Sequence, residues 1–181
     1  SITGISAGGL PDGIIQAADL ASGVGGKVIN YAQTLKKDVS SASLTEGTIS
    51  GALISLSYAA ASNSNKLLLS YVCYTGLSSS VNTYGYLYIG GSVSTYIGDQ
   101  GESNQLRATS SAVHTNDAKC GIHAAQVLIA SPSTSSTAYG VAFRHGNSAT
   151  EGVALNRSHG DSDVSSQARG ASSIIIMEIQ G

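Results

Sequence analysis

Charge is what this 181-residue chain has least of: Lys, Arg, Asp and Glu together make 11% of it, against about a quarter in an ordinary domain. Tryptophan is absent, phenylalanine occurs once, at Phe143, and proline twice. The formal net charge is −2, which excludes the basic footprint expected of a nucleic-acid binder. No apolar run approaches the length of a transmembrane helix, so no membrane insertion is expected. Two cysteines, Cys73 and Cys120, are too few for a disulfide framework. Both lie in apolar, strand-like surroundings, where buried free thiols are the ordinary outcome; a bridge between adjacent strands stays open. No charged-then-apolar leader is visible. A first residue of Ser rather than Met fits a processed start or a piece of a longer polypeptide.

What fills the space left by charge is Ser, Thr, Gly, Ala and nine tyrosines. A hydrophobic content of 41%, much of it β-branched, is enough to offset chain entropy, so the chain is not disordered. Residues 1–26 differ from the rest. Gly8-Gly9, Pro11-Asp12-Gly13 and Gly23-Val24-Gly25-Gly26 break any long element. Between them, residues 14–22 can form only two turns of helix, too short to stand alone. We therefore expect residues 1–26 to be an attachment segment and residues 27–181 to be the folded domain.

From Lys27 onward the apolar period is two. Strands are predicted at 28–35, 48–58, 66–74, 84–89, 122–130, 139–145, 153–157 and 173–179, eight in all. Polar turn clusters separate them, such as 62–65 and 131–136. Many short strands without a convincing helix predict an all-β fold, an antiparallel β-sandwich resembling a jelly roll. The segments 67–74 and 174–179 are apolar on both faces. In an isolated sandwich one face of each sheet meets water, so a second subunit is expected over the other face. In the last strand Ile174, Ile176 and Glu178 point one way and Ile175, Met177 and Ile179 the other, and both sets are expected to be buried. A carboxylate there needs water or a cation, and Arg157 or Arg169 is the expected partner of Glu178.

Several short strings recur in order along the chain: Gly8–Gly13 with Asp19–Val28, Ser64-Asn-Lys-Leu-Leu-Leu69, and Tyr86-Leu-Tyr-Ile-Gly-Gly-Ser92. Gly98-Asp99, Gln105-Leu-Arg-Ala-Thr109 and Ala130-Ser-Pro132 through Tyr139 follow, then Asn156-Arg157, Arg169-Gly-Ala-Ser172 and Met177-Glu178-Ile179. This order resembles the C-terminal β-sandwich domain of tail-fibre and other virion appendage proteins of marine, cyanophage-like bacteriophages. One departure is Ala130, where related chains often carry an acid. The resemblance implies a homotrimeric virion structural protein, attached to other virion proteins through residues 1–26 and exposed on the particle. It implies host attachment, through a cell-surface saccharide or protein, or decoration of the capsid or tail.

Chemistry-bearing clusters are sparse. His114, His123, His145 and His159 have no metal-binding spacing, and Asp161-Ser-Asp163 lacks the Gly and terminal Glu of a calcium loop. No metal and no cofactor are expected. Arg157, Arg169, Asp161, Asp163 and Glu178 are expected to form a structural ion-pair cluster rather than a catalytic one. Asp99, Glu102 and Glu151 could supply the paired acids of a glycan-cleaving spike, but no spacing ties two of them together, and the chain is read as non-enzymatic. Binding needs less: Tyr84, Tyr86 and Tyr88 alternate onto one face with Tyr96 nearby, and tyrosines suit saccharide or protein contacts. Packing of that face against a sheet or a neighbouring subunit remains the alternative.

Overall fold

The computed structural model describes residues 26–90, 96–97, 108–115, 119–146, 149–161, 167 and 169–181. Among them there is no helix, and eleven strands form two antiparallel sheets. They are β1 (Val28–Lys36), β2 (Ser40–Leu44), β3 (Ile54–Tyr58), β4 (Lys66–Leu77), β5 (Asn82–Ile89) and β6 (Tyr96–Ile97). β7 (Ser110–Val113), β8 (Cys120–Ala130), β9 (Thr137–His145), β10 (Glu151–Leu155) and β11 (Ser172–Ile179) follow. The expected β-sandwich is the observed fold.

Two long central strands organise the sheets. β4 pairs along one edge with β8, from Lys66↔Ala130 to Gly76↔Cys120. Its other edge is shared, β11 pairing with residues 66–72 and β10 with residues 75–77. β1 lies beyond β11 and β2 beyond β10, which completes a six-stranded sheet. The five-stranded sheet repeats this plan around β5, whose one edge carries β9 and whose other edge carries β7 and then β6. β3 extends it beyond β9.

The core is the seam between the sheets. Leu67, Leu69, Tyr71 and Cys73 of β4 and Ile174 and Ile176 of β11 meet Leu87, Tyr139, Val141 and Phe143 of the other sheet. All ten are no more than 2% exposed, and each large apolar side chain so buried contributes about 1.5–3 kcal/mol. The expected period-two faces of β4 and β11 are thus real, but only one is deeply buried. Ile175, Met177 and Ile179 are half-buried in the single chain, as are Leu68 and Tyr74.

The strand count differs from the expected eight. β2, SSASL, and β7, SSAV, carry too few large residues to signal strands, yet each is paired to a neighbour. The expected strand at 48–58 shortens to β3. Thr48 turns back on Thr45 around Gly47, whose φ of 79° suits glycine alone. β10 ends at Leu155 because Asn156 takes the left-handed φ of 67°, a conformation asparagine tolerates better than most residues. All but Gly26 of the expected attachment segment lies outside the described residues.

Candidate functional site

Of the tyrosines expected to bind, Tyr86 and Tyr88 are buried. They pack with Ala142 in a small second cluster against Ile49, Tyr84 and Ala108, on the face of β5 opposite Leu87. Tyr88 lies so close over Gly140 that a Cβ there would meet its phenol at 2.6 Å. Tyr86 and Tyr88 are therefore packing residues, the alternative named for that face, and do not supply an exposed binding surface in the single chain. Tyr84 stays half-exposed. Tyr96 pairs with Tyr88 through the backbone of β6, and its side chain lies outside the described residues, as do Asp99 and Glu102.

The arginine cluster forms in part. Asp161 receives Arg169 through both Nε and Nη2, at 3.1 and 3.0 Å, and pairs with Arg157 Nη1 at 3.2 Å. Residues 157 and 169 also form a backbone bridge, so the ion pairs close a loop that leads into β11. Asp163 lies outside the described residues.

Glu178 is not part of that cluster. Its carboxylate is fully buried at the opposite end of the strand. Among the described residues it accepts hydrogen bonds from Tyr58 Oη at 2.6 Å, Asn65 Nδ2 at 2.5 Å and the Ala61 N–H at 2.8 Å. The expected arginine partner is replaced by neutral donors from the last residue of β3 and the segment after it. Burial alone would raise the Glu178 pKa; the bonds from Tyr58, Asn65 and the backbone at Ala61 and Ser62 outweigh it and hold the carboxyl below its usual range. Tyr58 moves the other way, held protonated by burial and by the carboxylate it serves. Asn65 also takes the Gly181 N–H on Oδ1, tying the C-terminal residues to the same cage.

A second buried polar group was not foreseen. Thr83 Oγ1 of β5 lies 2.7 Å from His123 Nε2 of β8 and 2.9 Å from His114 Nε2, just after β7. His123 Nδ1 lies 2.9 Å from Ser110 Oγ, which lies 2.7 Å from Tyr71 Oη. Thr75 Oγ1 adds a longer contact to His114, at 3.4 Å. His123 stacks edge-on against Phe143, with ring centroids 5.2 Å apart. Burial, and then the neighbouring His114, lower the His123 pKa to about 3; burial lowers that of His114 too. Burial pushes Tyr71 up to about 12. All these groups are therefore uncharged near neutrality.

The Ser110–His123 contact has the length of a nucleophile–base pair, but its Gly85 side is closed to a substrate. A Cβ on Gly85 would already meet Ser110 Oγ at 2.6 Å, His123 Nδ1 at 3.0 Å and Tyr71 Oη at 3.3 Å. An acyl group needs far more room than a methyl. Ser78 and Glu151 make another pair: the serine hydroxyl donates to the carboxylate and accepts the Gly152 N–H, which joins the end of β4 to β10. The string Gly4-Ile5-Ser6-Ala7-Gly8 has the spacing of a serine-hydrolase elbow but lies outside the described residues. No group of three or more His, Cys, Asp or Glu that could hold a metal occurs among the described residues. Cys73 is buried, its thiol pushed up to about 12 by burial, and it forms no disulfide with Cys120. A shallow cleft of about 280 Å³ lies between β1 and β3, lined by Thr34–Lys36, Asp38 and Ala52–Ser55. No aromatic residue lines it.

The histidines themselves were visible in sequence, and β-strand parity on β8 would have turned His123 toward the same side as Ala125, Val127 and Ile129. The hydroxyl partners were not visible, because Thr83, Ser110 and Tyr71 come from three other strands whose register only the fold supplies.

No family model matches the chain, and no curated protein matches it. Among solved structures it is similar to a chain of "Structure of infectious bursal disease virus Gx strain", at 13% identity and a TM-score of 0.37. That match covers 84% of this chain and 37% of the other, so the chain spans little more than a third of its neighbour's length.

Proposed function

We propose that this chain is a non-enzymatic structural module of a virion, a β-sandwich that associates as a homotrimer through the outer face of its six-stranded sheet. The observation that carries this reading is the make-up of that face. The strand registers line up Tyr31, Met177, Leu68 and Leu128 in one row across β1, β11, β4 and β8. Two residues along runs Gln33, Ile175, Ser70 and Gln126, and next Leu35, Ser173, Val72 and Ala124. Ile122 and Tyr74 close the patch. Tyr31, Leu35, Val72, Ile122 and Leu128 are exposed large apolar residues. The rows contain no charged side chain; Lys66 stands at their end.

Four strands about 4.8 Å apart and seven or eight residues long make a patch of roughly 20 by 25 Å. Five exposed large apolar side chains on one uncharged face of a chain with little charge mark an interaction site, and a repeated subunit is the simplest source of a matching face. The ordered motifs shared with phage appendage domains support placing the module on a tail fibre or receptor-binding appendage. Decoration of the capsid or tail uses the same face equally well.

Light scattering of the full chain is expected to give three times the monomer mass, and a Tyr31→Lys, Leu128→Lys double variant is expected to give monomers that keep the wild-type far-UV spectrum. A wild-type chain that stays monomeric at micromolar concentration overturns the self-association. Antibody labelling is expected to decorate intact particles, and unlabelled particles would overturn the virion assignment. Release of oligosaccharides from host surface polysaccharide would overturn the non-enzymatic reading.

A further inference from the structure

The imidazole–hydroxyl chain has a direction, and its tyrosine end fixes it. At one end, Ser110 Oγ is the hydrogen-bond partner the structure gives Tyr71 Oη. A phenol held protonated by burial must place its hydrogen there or leave it unsatisfied. Ser110 then accepts from Tyr71 and donates to His123 Nδ1. A neutral His123 accepting on Nδ1 carries its hydrogen on Nε2, which it donates to Thr83. Thr83 in turn donates to His114 Nε2. His114 Nε2 is therefore an acceptor, and a neutral His114 carries its hydrogen on Nδ1, which is buried with no hydrogen-bond partner among the described residues. Every link points the same way, from Tyr71 to His114.

Such a chain accepts no extra proton without breaking. An imidazolium donates from both nitrogens. A proton on His114 Nε2 forces Thr83 to turn its hydrogen toward His123, which must then carry its own on Nδ1. Ser110 is pushed to donate to Tyr71, and two hydrogens face each other. A proton on His123 Nδ1 produces the same collision one link sooner. Thr75 touches His114 only at 3.4 Å, too far to take over a full bond. Among the described residues, the titratable groups facing the chain are Tyr71 and Cys73 from β4 and His145 from β9, which lies opposite Thr83 and points Nε2 at the Leu44 carbonyl. No carboxylate among the described residues raises either histidine pKa.

The links do more than fill the core, because two of them anchor one short segment. Residues 110–114 alternate, with Ser110, Ala112 and His114 turned inward and Ser111 and Val113 exposed. Of the three inward side chains, two belong to the chain and the third is a methyl. Strand β7 pairs only with β5 among the described strands, so the segment has little apolar anchorage of its own.

We propose that Ser110–His114 is an acid-released strap, locked to the core by this one-way hydrogen-bond chain while both imidazoles are neutral and freed when proton uptake reverses the chain. Release uncovers the edge of β5 at residues 82–85, a vacant strand edge able to pair with another chain.

The tautomers test the direction and hydrogen exchange tests the release, both on the unmodified protein. Long-range nitrogen–proton NMR near neutral pH is expected to show hydrogen on Nε2 of His123 and on Nδ1 of His114; the opposite tautomer at either ring overturns the chain. Amide exchange at residues 110–114, corrected for its intrinsic pH dependence, is expected to speed up at least tenfold, by order of magnitude, between about pH 7 and about pH 4, while β4 and β11 stay protected. Unchanged protection in the strap overturns the proposal. So does loss in step with β4 and β11, because that is global unfolding. Thr83→Ser, which keeps the hydroxyl, is expected to retain the acid response, and Thr83→Val to abolish the pH dependence by leaving the strap open at both pH values.

Discussion

The two ends of β4 solve one problem, burying a titratable group, in opposite ways. At its start Glu178, in register with Leu67, keeps its charge because neutral donors converge on it. Toward its far end, across from Cys73 and beside Tyr71, His123 has given its charge up. The difference lies in the supply of donors. A chain bend after β3 offers free backbone N–H groups, and a carboxylate uses them readily. Around His123 the partners are the hydroxyls of Thr83 and Ser110, and each supplies a single hydrogen. The charge survives burial where backbone N–H groups join the side-chain donors and is lost where hydroxyls stand alone.

The largest test of this contrast is Glu178→Ala. It leaves the Tyr58 hydroxyl, the Asn65 amide and the Ala61 N–H buried without their acceptor, at about 1–3 kcal/mol each for groups that find no water. We expect a loss of about 3 kcal/mol or more in denaturant unfolding, with the m-value unchanged. A loss below about 1 kcal/mol means that the cage is open to solvent. Next in size is Thr83→Val, which removes one hydroxyl of similar volume and strands two ring nitrogens. It is expected to cost about 1–3 kcal/mol, measured in the same way.

Acid separates the two ends further. Both groups have folded pKa values below their unfolded ones, so in both cases the unfolded state binds more protons as pH falls, and stability drops. The windows differ. The contribution from His123 is complete above its ordinary value of 6.5 and is lost toward about 3. That from Glu178 is complete above its ordinary 4.5 and is lost only as pH falls through its lowered folded value. Stability measured against pH is expected to decline in two stages, the lower one missing in Glu178→Ala. A single stage common to both proteins would erase the distinction.

Much of the fold was legible because β4 and β11 spell their inner faces in large apolar residues at period two. Tyr71, Cys73, Ile174 and Ile176 needed no tertiary information. β2 and β7 were illegible because Ser and Ala fit a strand only when a neighbour supplies the pairing. The second face of β11 was expected to lie against a neighbouring chain or loop: Ile175 is half-buried in the single chain, so its truncation to Ala costs the expected value of about 2–5 kcal/mol of a core residue where a neighbour covers it. Glu178 was recognised as the awkward residue, but its partner was sought among cations near in sequence. Its true partners stand 113 to 120 residues away, and two of the three are uncharged side chains common in any loop. The tyrosine row left binding and packing open for a related reason, since alternation locates a face but does not say what lies over it.

The smallest expected effect belongs to a carboxylate that shares neither environment. Asp161 sits between Arg157 and Arg169 at the surface, and the Arg169 side chain is 67% exposed. Its partners are full charges, which on paper outrank the neutral donors around Glu178. Water, however, competes for every one of those bonds and screens the charges, and ordering two long arginine side chains has an entropic cost. Removing its charge by Asp161→Asn is therefore expected to cost about 0–1 kcal/mol and to lose even that in molar salt, where the screening length falls to about 3 Å. Glu178→Ala, shielded from ions, is expected to cost as much in salt as without it. If Asp161→Asn proves the more damaging of the two, charge rather than burial governs the carboxylates of this sandwich, and the contrast drawn between the ends of β4 fails with it.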